Sequence, residues 1–128
     1  MKKLIIMAVA ASFCLVGVTT TVSLAANCKN VTVKVNNQRA QEIKVTGAKY
    51  WDTEKEKWRS ENFSNWKIAP KSNEKKTPNL EYVKNQKVKL YVQYKVNEGG
   101  SKWSGTKNSS KVTVSKCTSS SKFSFTIR

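Results

Sequence analysis

The chain of 128 residues carries 24 Lys and Arg against 8 Asp and Glu, a formal charge of +16, and no histidine. Without histidine it lacks the commonest general base at neutral pH and the commonest metal ligand. Its size suits one modest domain with a real core, and its charge favours polyanionic partners.

Residues 1–26 read as a secretory signal. Lys2 and Lys3 precede an apolar run from Leu4 to Val18, then Thr19 to Thr21, and Ser23-Leu24-Ala25 supplies small residues for cleavage after Ala25 or Ala26. The run is shorter than the roughly 20 residues a membrane-spanning helix needs. Cleavage would remove Cys14 and leave 27–128 as a single, strongly basic domain, secreted or periplasmic, with no transmembrane segment. Cys28 and Cys117 are then the only cysteines, an even pair that predicts one disulfide in an oxidising compartment. Lipid anchoring through Cys28 fits poorly, because Asn27 sits where a small residue is required and Cys117 would be left without a partner.

Alternating apolar and polar residues mark the strands. Val31, Val33 and Val35 alternate with Thr32 and Lys34. Ile43 and Val45 alternate with Lys44 and Thr46, and a slip at Gly47-Ala48 predicts a bulge before Tyr50 and Trp51. Weaker strands are expected at Ala48–Trp51, Trp58–Glu61, Trp66–Ile68 and Leu80–Val83. The clearest is residues 87–96: Val88, Leu90, Val92, Tyr94 and Val96 share one face, Lys87, Lys89, Tyr91, Gln93 and Lys95 the other. Val112 to Val114 and Phe123 to Ile127 complete the set. Turns are expected at Asn36-Asn37, Asp52-Thr53, Pro70 to Asn73, Pro78-Asn79, Asn97 to Gly100 and Ser119 to Ser121. No segment has a helical period. The pattern predicts an all-β antiparallel sandwich, immunoglobulin-like or similar, of seven to nine short strands, with a small β-barrel as the alternative.

Chemistry-bearing motifs are sparse. Ser72 to Lys75 and Ser119 to Lys122 match Ser-x-x-Lys, but that pair acts from a helical turn and both matches lie in loop-like sequence. Asp52, Glu54 and Glu56 alternate with lysines on a turn, which suits solvated ion pairs better than a carboxylate dyad. The expectation is therefore a non-enzyme with no metal and no cofactor.

The aromatic stretch from Tyr50 to Trp66 carries more. Tyr50 and Trp51 must face opposite sides of a strand, and Trp51 across from Trp58 would make a plain cross-strand stabilising pair. The sharper reading is an exposed aromatic and basic surface, with Lys49, Lys57, Arg59 and Lys67 beside it, able to stack on sugars or sit at lipid headgroups. Trp103 lies in a Gly- and Ser-rich loop between Lys102 and Lys107. From Gly99 to Arg128 there are six basic residues and no acid: Lys102, Lys107, Lys111, Lys116, Lys122 and Arg128. The candidate binding surface is thus Trp51, Trp58, Arg59, Trp103, Lys102, Lys107, Lys111 and Lys122. The expected function is an exported binding module for an anionic glycan, lipopolysaccharide, lipid or other envelope surface. Its alternatives are a protein-interaction module docking on one acidic protein and a membrane-active toxin. Nucleic acid is disfavoured, because few arginines and no recognition motif are present.

Overall fold

A computed structural model describes residues 28–128. The signal and cleavage site expected within 1–26 lie outside the described residues. The fold is all-β, with curled sheets forming a half-barrel. Among the described residues nine strands occur, in the order β1 (Thr32–Asn37), β2 (Ile43–Asp52), β3 (Lys57–Ile68), β4 (Ser72–Lys76), β5 (Val88–Gly99), β6 (Lys102–Trp103), β7 (Lys107–Asn108), β8 (Val112–Val114) and β9 (Lys122–Ile127). The smaller sheet runs β4-β1-β9. The larger runs β3-β2-β5-β6, with β7 and β8 also pairing to β5.

Period-two alternation places the core between these sheets. Val33 and Val35 of β1 and Phe123, Phe125 and Ile127 of β9 face Ile43, Val45 and Tyr50 of β2 and the apolar side of β5, all buried. A one-residue slip in register would turn each of these rows into solvent, so the register is tightly specified. One pairing departs from the antiparallel rule: β1 and β9 run parallel, Thr32 beside Lys122 through Asn37 beside Ile127.

The bulge expected near Gly47 is present, between Val45 and Gly47, so β2 is one strand and not two. A Cβ on Gly47 would stand 2.5 Å from the Glu61 carbonyl oxygen, which explains the residue there. Opposite it, Ser64 and Asn65 of β3 take positive φ of 50° and 65°, so that β3 bows outward and continues to Ile68 as one strand.

Several expectations need correction: Asn36-Asn37, expected as a turn, is the end of β1, paired on both sides, and Trp103, expected in a loop, lies on β6. Leu80–Val83 is a turn, with Val83 N–H donating to the Leu80 carbonyl at 3.3 Å, and its buried Leu80 and Val83 plug the core from a loop. Ser72-Asn73, expected in a turn, opens β4 (Ser72–Lys76); lying at the sheet edge with almost every side chain in solvent, this strand has no apolar alternation to betray it. Lysines at such an edge also discourage pairing with a second chain.

Cys28 and Cys117 form the expected disulfide. Around it, Leu80 N–H donates to the Cys28 carbonyl at 2.9 Å, Asn85 N–H to the Cys117 carbonyl at 3.0 Å, and Cys117 N–H to the Gln86 carbonyl at 2.8 Å. The bridge therefore pins residues 80–86 as well as the two chain segments it joins. A disulfide fits an extracellular or periplasmic protein. No helix among the described residues is long and apolar enough to cross a membrane.

Candidate polyanion-binding face

The side of the larger sheet turned away from the core carries the alternate residues of β2, β3 and β5. Because Ile43 and Val45 point inward, Lys44 points outward; its register partners are Lys67 on β3 and Lys95 on β5. Three ammonium-bearing side chains thus form one row across adjacent strands. Like charges directly opposite one another are unfavourable. Among the described residues the only ion pair joins Arg59 and Asp52, at 2.9 Å, so no carboxylate neutralises the row. What steadies it is Trp103, whose ring centre lies 4.4 Å from the Lys44 ammonium and 5.8 Å from that of Lys67. Cation–π contacts of this kind hold a charge without cancelling it.

At the other end of β2 an aromatic shelf occupies the same face. Trp51 and Trp58, in register, meet edge to face at 5.2 Å, and Trp58 meets Tyr91 of β5 in the same way at 5.2 Å. Trp58 is 39% exposed. Lys111, just before β8, sits over Tyr91 at 5.2 Å, and Lys49 donates to Ser60 Oγ at 2.7 Å. The plain cross-strand pair and the exposed aromatic surface are therefore the same residues.

The remaining candidates scatter. Arg59 follows Trp58 but points to the opposite side. There it donates through Nε and Nη2 to Asp52 Oδ2 at 3.2 and 2.9 Å, and stacks on Tyr82 at 4.3 Å. Asp52 is buried, and burial alone would raise its pKa. Hydrogen bonds from Arg59, the Lys55 backbone and Gln86, with the Arg59 charge, outweigh that and hold it below the usual value. Arg59 is thus consumed by a structural ion pair. Lys102 and Lys107 lie exposed on the short strands β6 and β7 at the margin of the face. Lys122 lies on β9, beside Thr32, in the other sheet. The acid-free stretch from Gly99 to Arg128 is accordingly split between the two sheets and is not one patch.

Lys67 is among the residues the sequence places beside an exposed aromatic surface, but Lys44, Tyr91 and Lys95 are not among the sequence-derived candidates. Strand parity marked several as outward; only the β3-β2-β5 register reveals the row. Trp66, by contrast, is buried, its Nε1 donating to Glu74 Oε1 at 3.1 Å and its ring against Phe63, so it belongs to the core.

Behind the shelf, Tyr50 is buried at 1% exposure, and loss of solvent pushes its pKa up to about 12. Glu61 is also raised, by burial and then by the nearby Glu81 charge. Among the described residues no group of three His, Cys, Asp or Glu is placed to hold a metal.

No family model matches the chain, and no curated protein or solved structure is similar to it.

Proposed function

We propose that the protein is an exported, non-enzymatic binding module that engages a polyanion through the outer face of its larger sheet. The observation that carries this reading is the Lys67–Lys44–Lys95 row, in register on three adjacent strands with no acid paired to it. Such an arrangement costs the free protein stability and returns it only when an anion arrives. The disulfide supports an oxidising compartment, where anionic glycans, lipopolysaccharide and lipid surfaces are the available polyanions.

Binding of the oxidised protein to heparin, measured across a salt series, tests this. Affinity falls linearly on log–log axes, and the combined variant Lys44→Gln, Lys67→Gln, Lys95→Gln flattens the slope by roughly one unit per lysine. A slope that the triple variant leaves unchanged, or no binding to any polyanion at low salt, sinks the proposal.

A further inference from the structure

Resting on the reading above, we infer that the ligand is a linear acidic polysaccharide lying along β2, its charged groups on the lysine row and its sugar rings on the Trp58 shelf. Three features of the face fit a chain of sugars. The first is spacing. Lys44 and Trp51 stand seven positions apart on β2, about 23 Å at roughly 3.3 Å per residue, so the Lys44–Trp103 station and the Trp58–Tyr91–Lys111 station are too far apart for one sugar or one headgroup. A chain-like ligand reaches both.

The second is what lies between. At the β2 bulge the face dips into a shallow depression of about 170 Å³, lined among others by Thr46, Lys49, Ser60, Asn62 and Gln93. Gln93 Nε2 donates to Asn108 Oδ1 at 3.3 Å and Thr46 Oγ1 to the Gln93 carbonyl at 3.3 Å, so a band of amides and hydroxyls crosses the middle of the sheet. Sugar hydroxyls match such a band. The third is the disposition of the aromatic rings. Here Trp103 stands at one end of the depression and Trp58 with Tyr91 at the other, all on a single strand-built face. Rigid strands hold these stations apart, so the site measures ligand length.

The test is a length series. Heparin-derived oligosaccharides from disaccharide to dodecasaccharide are titrated into the oxidised protein, with phosphatidylglycerol vesicles as the competing source of anions. Affinity is expected to rise sharply once the oligosaccharide spans the face, and then to level off. Trp58→Ala is expected to weaken the long oligosaccharides about tenfold, as loss of one stacking contact does, and to leave the disaccharide unchanged. Gln93→Ala, at the depression, is expected to show the same length-selective loss, and a cooperative urea transition shows that each variant is folded. Affinity that simply tracks total ligand charge, or a Trp58→Ala loss equal at every length, overturns the inference while leaving polyanion binding intact. Vesicle binding that heparin fails to displace overturns it in favour of a lipid surface. Insensitivity to the lysine-row substitutions instead removes the reading on which it rests.

Discussion

Trp58 and Arg59 are neighbours in the chain, yet they belong to two regions with opposite electrostatic logic. Arg59 enters a closed corner: its guanidinium is paired with buried Asp52, capped by Tyr82, and Gln86 adds a further hydrogen bond to the same carboxylate at 3.3 Å. Trp58 enters the open face, where lysines meet aromatic rings and form no ion pair with an acid among the described residues. Both regions combine a cation with an aromatic ring. In the corner the charge is neutralised and the contact serves folding. On the face it is left unneutralised, and the contact keeps a charge available.

If that contrast is right, breaking the corner costs stability and spares binding, while breaking the face does the reverse. The largest effect is expected from the disulfide that anchors residues 80–86 against the corner. Replacing Cys28 and Cys117 by Ser releases a loop with a sequence separation of 89, and should lower the urea unfolding free energy by about 4 kcal/mol. Next comes Asp52→Ala, which strands the Arg59 guanidinium and removes acceptors from the backbone N–H groups of Glu54 and Lys55. A loss of about 3 kcal/mol is expected, with heparin affinity of the folded protein unchanged.

A smaller effect comes from pH. The folded state holds the proton of Tyr50 up to about pH 12, whereas the unfolded chain releases it near 10. Its contribution is therefore fully present below pH 10 and is lost as pH rises toward 12. Tyr50→Phe should remove that alkaline loss. Asp52 has the opposite sign: its contribution is present above the ordinary carboxylate range and disappears as acid protonates it. The smallest expected effect is on the face. The triple Gln variant of Lys44, Lys67 and Lys95 should gain about 0.5 kcal/mol by relieving like-charge pairs, while its heparin affinity collapses. A triple variant that is less stable would place those lysines in the structural class.

Much of this architecture is legible without coordinates. Residues 87–96 announce β5 by parity alone, Gly47 announces the bulge, and the paired cysteines announce their bridge. What stays hidden is whatever depends on which strand lies beside which. Lys44, Lys67 and Lys95 are far apart in the chain, and only the register makes them a row. Trp58 and Arg59 differ by one position, and only the fold shows that one faces solvent and the other a buried acid. The edge strand β4 escapes for the same reason: it is defined by its partner β1 and has no burial of its own.

The parallel pairing of β1 with β9 has a kinetic consequence. Before the Cys28–Cys117 bridge forms, joining residues 32–37 to 122–127 requires closing nearly the whole described chain, whereas β2 finds β3 across a short turn. Loop-closure entropy must be met before such distant contacts return anything, which makes them slow to form. The larger sheet is therefore expected to assemble first and the smaller sheet last, when β9 docks. In the reduced protein, substitutions such as Phe123→Leu or Phe125→Leu on β9 should accordingly speed unfolding far more than they slow folding. Ile43→Val on β2 should do the opposite. The lysine face would thus be complete on a half-built molecule, before the final strand seals the sandwich behind it.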